Sequence, residues 1–571
     1  MITSCCSIRK ILEKIKGGVS IFKVRLKQPK KKLPELSRWP AVSPCLFHRR
    51  RPEGKLLSPD LLILKSPPGS ALMVCLLIMA VFLTLGMGLL INSRLFLQTH
   101  GFRKLSRLSS YAAENGLKEA WSRMQVRAAE AFNEPEIKAE TWLAIKQAPE
   151  KSLLAALQPL LEAASFKTQD EFSGMSWEAA ASASLSELYS GEHYLKATFG
   201  FNIEATGQVQ GPGGLRSERV KSELVLLAGH LPLNQVPAVV EKDGLEPAAA
   251  ARIRIRPLLP ENLPLPQIKT VSERLIPGEA LPLLARGLKI LKPASLPNWL
   301  LRQALGLEPG NDPIPEGIHL VQDSLGPGGI YVQGDLDLLL LGIDSGSQVI
   351  QFQQKESRWL LRFNPATARS SFLSPSGNQD FNELPIPLVM VNGKVLSLRS
   401  GCSGSDGFLE GDTENGCPAF LSGVKITIVC SGRLEVASNL YSDGLEWKEG
   451  LPYLKSRQSQ LIIWSTGQDF QSDQLTDGGI NLVSGSDQKR IIEASLIAGG
   501  QGLKADLPGE KLELIGSLAA TAINPGRTEL NLFYLPAAGP PSPSEPDLQV
   551  YSEIPLLHLS HLRILEWRST R

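Results

Sequence analysis

One uninterrupted apolar segment constrains the fold of this chain more than any other feature. Residues 71–91 read ALMVCLLIMAVFLTLGMGLLI, 21 residues without a charged side chain. As an α-helix they would span about 31 Å, the thickness of the hydrocarbon core of a bilayer. This stretch is too long for the apolar part of a secretory signal, and no small-x-small cleavage site follows it. The segment therefore predicts one retained transmembrane helix.

Charge is distributed unevenly around this segment. Residues 1–69 contain 16 Lys and Arg against 4 Asp and Glu, whereas the whole chain carries a formal net charge of +3. Basic residues hold the flank of a membrane helix in the cytoplasm, so we expect the N-terminus inside and the bulk of the chain outside the cytoplasm. A basic arm that binds nucleic acid would need no membrane segment behind it, and no nucleic-acid partner is predicted.

The helical pattern continues beyond the apolar segment. Apolar residues recur every three to five positions with Arg, Lys, Glu and Ser between them, as in an amphipathic helix. We therefore predict one helix over residues 70–128, with its N-terminal half in the membrane. The recurring positions are Phe102, Leu105, Leu108, Ala112, Leu117, Ala120, Trp121 and Met124.

Three short motifs occur in order along this helix. They are GSAL at residues 69–72, TLG at residues 84–86 and AAENGL at residues 112–117. This arrangement resembles the N-terminal region of PilX-like type IV pilus assembly proteins and related pseudopilins. The resemblance implies that residues 1–69 are a leader, that prepilin peptidase cuts between Gly69 and Ser70, and that the helix packs against other pilin subunits.

The resemblance also implies which side chains join the helix to its neighbours. The fifth mature position, a glutamate in most pilins, is Val74 in this chain. Because a buried glutamate in a bilayer needs a partner, its absence suits a subunit at a tip or priming position. The residues implied in helix assembly are Leu72, Val74, Leu76, Leu83 and Gly86.

The region that follows is expected to form a small pilin-like head over residues 129–232. Short helices are predicted up to about residue 190. Two alternating segments, YLKATFGFNIEATGQVQ and RSERVKSELVLLAG, then flank GPGG and predict a β-hairpin. Prolines disfavour continuous helix or central strand over residues 233–315, which are expected to be a connector.

Residues 316–535 repeat a pattern of apolar strand, glycine and apolar strand. Segments such as LVMVNGKVLSLRSG and VKITIVCSGRLEVASNL show it. Stacked short strands of this kind favour a β-solenoid, with a β-sandwich as the alternative. Residues 536–571 are expected to be a proline-rich linker and C-terminal tail. The predicted fold class is α+β: a long transmembrane helix, a small head and a mostly-β domain.

The cysteines after the membrane segment are Cys402, Cys417 and Cys430. Their spacing matches no zinc motif. Cys402 and Cys417 bracket a Gly-, Ser- and acid-rich loop that a disulfide could close. Cys430 ends the apolar alternation VKITIVC and is interpreted as a small core residue.

The sequence contains no strong signal for catalysis. The phosphate-binding loop motif is absent, and the nucleophile-elbow motif is missed because Ser405 replaces its last glycine. His558 and His561 are interpreted as a surface pair, and Asp335 and Asp337 as solvent-facing residues of one strand. Oxygen atoms in the Cys402–Cys417 loop could bind Ca²⁺, but the EF-hand order is absent, so a solvated loop is the interpretation for Asp406, Glu410, Asp412 and Glu414.

We therefore expect a single-pass protein of the bacterial cytoplasmic membrane that resembles minor pilins. Its expected partners are the membrane, prepilin peptidase and other pilin or pseudopilin subunits, and its surface ligand is unknown. No enzyme, cofactor or metal is predicted. The alternatives are a plain membrane-anchored surface binding protein and a β-solenoid enzyme that acts on carbohydrate.

Overall fold

The computed structural model describes residues 70–132, 134–170, 175–209, 215–258, 268–277, 284–285, 298–323, 326–411, 416–456, 460–472, 474–483, 489–505, 507, 511–534 and 548–570. The basic leader predicted at residues 1–69 lies outside this set. The chain divides into a first unit that ends at Met87 and a second that begins at Gly88. Of the first unit only helical residues are described, and the packing below concerns the second unit.

A long apolar helix begins at Ser70, as predicted, and ends at Ala131. It contains no proline and is rich in Leu, Ala, Met and Arg, which favour helix. The helices of the described residues are α1 (Ser70–Ala131), α2 (Ala139–Gln147), α3 (Pro149–Ala164), α4 (Pro247–Ala250) and α5 (Asn298–Ala304), with a 3₁₀ turn at Leu233–Gln235.

Five antiparallel strands form a sheet that we call the head sheet. Its strands are β1 (Phe166–Asp170), β2 (Met175–Ser190), β3 (Tyr194–Val209), β4 (Leu215–Gly229) and β29 (Leu556–Thr570), in the order β1-β2-β3-β4-β29. The predicted hairpin is present as β3 and β4, with Gln208 opposite Leu215 next to the turn.

Two parts of the head sheet differ from the expectation. Residues 175–190 are predicted within short helices, but they form β2 and pair with β3 along their length. Pairing with a long neighbouring strand overrides the helix propensity of this Ala-rich segment. Residues 556–570 are not a tail but the strand β29, because their alternating apolar side chains Leu559 and Leu562 complete the core of the head.

The core of the head lies between one face of this sheet and helices α1, α2 and α3. Apolar side chains from these three helices meet alternate side chains of the strands. Fully or almost fully buried members include Leu117, Met124, Trp142, Leu157, Phe199, Phe201, Ile203, Leu224 and Leu562.

Two further sheets of 11 strands each make the C-terminal region mostly β, as predicted. Sheet I contains β6 (Ile253–Pro257), β28 (Glu529–Tyr534), β26 (Lys511–Ala520), β24 (Lys489–Ala498), β22 (Gln460–Ser465), β18 (Lys425–Cys430), β15 (Leu388–Asn392), β9 (Gly326–Gln333) and β8 (Gly317–Asp323) in this order, with β5 (Ala238–Glu241) and β7 (Lys269–Val271) attached.

Sheet II contains β14 (Gly377–Phe381), β13 (Arg369–Ser374), β12 (Ser357–Asn364), β11 (Ser347–Gln354), β10 (Leu338–Asp344), β16 (Val395–Ser403), β19 (Arg433–Val436), β23 (Gly479–Leu482), β25 (Leu503–Ala505) and β27 (Ile523–Asn524), with β17 (Leu409–Gly411) beside β16. A separate hairpin is formed by β20 (Leu445–Lys448) and β21 (Leu451–Leu454).

From β15 onward the chain returns repeatedly to both sheets, and neighbouring strands run parallel. In sheet I, Ile428 lies beside Val389 on one side and Ile463 on the other. In sheet II, Leu434 lies beside Ile480. The strand β17 and the hairpin β20–β21 are excursions between these returns, which accounts for the irregular spacing of the sequence pattern.

The proline-rich segment at residues 233–315 does more than connect. Its strands β5 and β6 pair in parallel with β26 and β28, and β7 pairs with β5. They therefore cover the end of sheet I. Pro257 stands at the end of the edge strand β6, a position that tolerates a missing N–H donor.

Sheet I is buried on both faces. Ile428, Ile463 and Leu496 point into the core between sheets I and II. Their chain neighbours point the other way and pack against residues of the head and connector. Parallel strands covered on both faces have nearly continuous apolar sequences, as in QLIIWS. The outward members include Val429, Ile462, Trp464 and Ile497, which meet Leu231, Leu233, Ile554 and Leu556.

Candidate functional site

The first half of α1 exposes the side chains that the resemblance implies in helix assembly. Val74, Leu76 and Leu83 are 57%, 55% and 69% exposed. The helix reaches a mean hydropathy of 2.8 over 18 residues, with none of that window buried, and is the single candidate membrane span among the described residues. Exposed apolar surface of this extent marks a site for lipid or for another protein.

A threonine whose hydroxyl is hydrogen-bonded within the helix, and a glycine, interrupt this apolar surface near its middle. The Thr84 hydroxyl donates a hydrogen bond to the Val81 carbonyl, with 2.9 Å between the oxygens. Apart from its chain neighbours and the adjoining backbone of the same helix, no atom lies within 4 Å of the position that a Cβ of Gly86 would take. The hydroxyl therefore needs no water, and the glycine leaves room for the close approach of another helix.

The predicted processing residues are described only in part. Ser70 is the first residue of α1. Gly69 lies outside the described residues, as do the side chains of Ser70 and Leu72. The two parts of the site that remain are therefore the exposed face and the attachment of the helix to its head.

The third motif of the resemblance attaches α1 to the head sheet. Ala112 and Ala113 are fully buried. A Cβ on Gly207 of β3 would lie 2.3 Å from the backbone nitrogen of Ala113 and 2.3 Å from the carbonyl oxygen of Ser109. Helix and strand backbones are thus in direct contact, which only small residues allow.

A second contact of the same kind follows one turn later. A Cβ on Gly116 would lie 2.9 Å from Cδ1 of Trp177 in β2. The Trp177 indole N–H donates to the Glu119 carboxylate over 2.9 Å. The glycine therefore makes room for a tryptophan that joins α1 to β2.

The sequence does not predict the attachment role of these residues, although it contains a signal for it. Small residues recur at spacings of three and four along one helix face, which is the pattern of close packing. Gly207 interrupts an otherwise alternating strand, which often marks a close backbone approach. The small residues of the face are Ser109, Ala112, Ala113 and Gly116.

Cys402 and Cys417 form a disulfide with 5.6 Å between their Cα atoms. Between them β17 places Leu409 over apolar side chains on the outer face of sheet II, namely Leu340, Val349 and Leu360. The Leu409 N–H donates to the Gln351 amide oxygen over 2.6 Å. The bridge therefore closes a loop that covers part of sheet II. Cys430 is a free, fully buried thiol.

The acidic candidates of the sequence have structural partners. The Asp335 carboxylate accepts a hydrogen bond from the Lys394 N–H over 2.8 Å, and the Asp337 carboxylate accepts one from the Lys355 N–H over 2.6 Å. Both therefore hold neighbouring turns. Asp406 accepts from the Phe408 N–H over 3.0 Å.

Metal-binding groups are not assembled in the part of the chain that the structure describes, where no three His, Cys, Asp or Glu side chains are close enough to share an ion. Glu410 lies on the exposed side of β17. The other two acidic residues of this loop, Asp412 and Glu414, lie outside the described residues.

His558 is not at the surface, in contrast to the expectation. Its side chain is 3% exposed, and its Nδ1 lies 2.6 Å from Nζ of Lys269, which is 4% exposed. Pairing of β29 with β4 carries the histidine under β7, and this long-range pairing has no local signal. The side chain of His561 lies outside the described residues.

Burial changes the acid–base properties of this pair. Removal from water lowers the pKa of Lys269 from 10.5 to about 7. Removal from water, and secondarily the charge of Lys269, lower the pKa of His558 well below its ordinary value. Two cations at this distance in a buried site repel each other strongly. The pair therefore carries at most one positive charge near neutral pH.

Comparison with known proteins finds no match: no family model matches the chain, and neither does any curated protein or any solved structure.

Proposed function

We propose that this chain is a minor pilin or pilus-assembly subunit. It is anchored in the cytoplasmic membrane by α1, packs through that helix into a type IV pilus or secretion pseudopilus, and presents its β-rich domain outside the cytoplasm. The observation that carries the proposal is the division of one continuous helix. Its first half is apolar and exposed, and its second half is joined to a head sheet through Ala112, Ala113 and Gly116.

The exposed half suits two environments in turn. In the bilayer its apolar side chains contact lipid, and in a fibre they contact the helices of neighbouring subunits. Both remove apolar surface from water, at roughly 25 cal/mol per Å². Val74 leaves this surface without a carboxylate, so no partner amine from another subunit is required. That favours a tip or priming position.

We infer that the β-rich domain is a β-solenoid. The chain alternates between sheet I and sheet II, and each return lies parallel to the previous one. Bends also stack: a Cβ on Gly393 would lie 2.4 Å from the carbonyl oxygen of Gly334, and one on Gly432 would lie 3.0 Å from that of Gly393. A sandwich of antiparallel strands would not stack its turns in this way. A domain of this size suits display rather than the shaft of a fibre.

Coexpression with a prepilin peptidase tests the proposal. The mature protein is expected to begin at Ser70 and to have lost the mass of residues 1–69. Gly69→Leu should block the cut, whereas Gly86→Leu, which changes a glycine within the helix, should leave it unchanged. An unchanged mass and N-terminus in the unaltered protein would instead support a plain membrane-anchored surface binding protein.

A further inference from the structure

The part of α1 that follows its apolar half is basic and carries no acidic residue. Residues 61–113 contain no Asp or Glu, and Glu114 is the first. Four cations occupy the helix before it, and all four are exposed. None of them forms an ion pair with another described residue. They are Arg94, Arg103, Lys104 and Arg107.

The head sheet adds a fifth cation at the same level of the helix. Nε and Nη2 of Arg216, at the start of β4, donate to the Ser106 hydroxyl oxygen over 3.1 and 2.8 Å. Ser106 lies between Arg103 and Arg107 in the chain. Among the described residues no carboxylate pairs with Arg216, so this contact gathers positive charge at one end of the head.

Exposed apolar side chains accompany these cations. Leu215, the neighbour of Arg216, is 65% exposed, and Trp567 at the end of β29 is 43% exposed. The Trp567 indole N–H donates to the Glu218 carboxylate over 3.1 Å. This acid, only 9% exposed, therefore already has a partner. Tryptophan, leucine and basic residues together are typical of protein surfaces at a membrane interface.

The distance along the helix fits a membrane surface. Leu95, Phe96 and Leu97 are 56%, 62% and 69% exposed and continue the apolar surface. Arg103 lies six residues beyond Leu97, or about 9 Å along the axis. The headgroup region adds about 5 to 8 Å to each side of the hydrocarbon core. Long arginine and lysine side chains can span the remainder.

We propose that, while the protein resides in the membrane, this basic end of the head binds anionic phospholipid headgroups. The cations are Arg94, Arg103, Lys104, Arg107 and Arg216. A nucleic acid offers the same phosphate chemistry, but it would have to approach cations that stand beside exposed Leu95, Phe96 and Leu97. Lipid phosphates lie in that position already. The contact fixes how the head stands on the bilayer and opposes withdrawal of the helix into a fibre.

Arginine footprinting of the full chain in nanodiscs tests this contact. Discs of phosphatidylcholine alone are compared with discs that contain about 30% phosphatidylglycerol, and phenylglyoxal modification of each arginine is read by mass spectrometry. Modification of Arg103, Arg107 and Arg216 should slow about threefold in the anionic discs, and the protection should disappear in about 0.5 M NaCl. Arg254 in β6, far along the chain, should react equally in both.

Charge-removing variants separate a specific contact from a general effect of charge. Arg103→Gln/Lys104→Gln/Arg107→Gln should abolish the protection of Arg216, whereas Arg254→Gln/Arg358→Gln/Lys504→Gln, which removes the same charge from the β-rich domain, should keep it. Equal rates in both kinds of disc would overturn the proposal. The proposal would also be overturned if a short DNA duplex protected the same arginines in neutral discs while phosphatidylglycerol did not protect them.

Discussion

The head sheet and sheet I bury their strands in different ways. In β3 of the head, Phe201 and Ile203 are fully buried while Asn202 is half-buried and Glu204 is exposed. In β22 of sheet I, Ile462, Ile463 and Trp464 are all buried, whichever way they point. A strand covered on one face tolerates change at every second residue, whereas a strand covered on both faces tolerates change at none.

This difference also bears on the proposed roles of the two regions. The head keeps a solvated sheet face and holds α1 by backbone contact at Gly207. The β-rich domain encloses its own core and packs against the head and connector through Trp464 and Ile462. The head is thus built to hold a helix, and the β-rich domain to enclose a core of its own.

The largest expected effect comes from a substitution that breaks the contact between α1 and the head sheet. Gly207→Val places a side chain where backbone atoms of Ser109 and Ala113 lie, so we expect the free energy of unfolding of the head to fall by about 4 kcal/mol or more. Gly200→Val is the matched control in the same strand, because its nearest atom is the Ser186 hydroxyl oxygen at 3.4 Å. Urea unfolding followed by tryptophan fluorescence measures both. Equal losses would contradict the backbone contact.

Because sheet I is buried on both faces, substitutions at adjacent residues of one strand should cause similar losses of stability. Ile462→Ala and Ile463→Ala should each lower the free energy of unfolding by about 2 to 5 kcal/mol, although they point to opposite faces. In the head, Ile203→Ala should lower the free energy of unfolding by a similar amount, whereas Glu204→Ala should change it by no more than about 0.5 kcal/mol. A near-neutral Ile462→Ala would show that the outer face of sheet I is not covered by the head and connector.

Removal of the disulfide should weaken the β-rich domain and leave the head unchanged. Cys402→Ser/Cys417→Ser opens a 15-residue loop, which corresponds to about 3 kcal/mol in the chain-entropy treatment. Hydrogen exchange should increase in β17 and around Leu340, which Leu409 covers. Cys75→Ser, at an exposed thiol on α1, is the control. Faster exchange in β3 and β4 would argue against separate stabilities.

The most gradual expected effect is a pH dependence that arises between the head and the connector. Because burial lowers the pKa of Lys269 to about 7, the unfolded chain binds a proton between pH 7 and 10.5 that the folded chain does not. The free energy of unfolding should therefore rise with pH in this range, by at most about 1.4 kcal/mol per pH unit, and the penalty should be complete below pH 7.

Lys269→Met removes this buried amine, so the rise with pH should be lost. Protonation of the unfolded chain at His558 below pH 6.5 should still lower the stability of that variant in acid, because the pKa of the buried imidazole is lowered. Chemical denaturation at a series of pH values distinguishes the two groups. An unchanged slope above pH 7 in Lys269→Met would mean that other groups cause it.

Local patterns in the sequence predict a good part of this structure. The apolar run specifies α1, the glycine-rich turn specifies β3 and β4, and Gly393 and Gly432 mark bends between strands of sheets I and II. Each of these depends on residues close in the chain.

The remaining features depend on contacts between distant segments. The Ala-rich residues 175–190 become a strand only because β3 lies beside them, and β29 returns to the head after more than three hundred residues. The burial of His558 follows from the pairing of β29 with β4 and has no local signal, whereas the contact of Gly207 with Ser109 is hinted at only by the glycine within an alternating strand.

The central claim is that one helix serves first in lipid and then among other pilin helices, and site-specific photocrosslinking tests it most directly. A photoreactive residue at Val74, Leu76 or Leu83 is introduced in cells that assemble a type IV pilus, with exposed Leu143 of α2 as the control position. We expect crosslinks from the α1 positions to the N-terminal helix of another pilin subunit, and none from Leu143. Crosslinks to lipid alone at all three α1 positions would contradict the account.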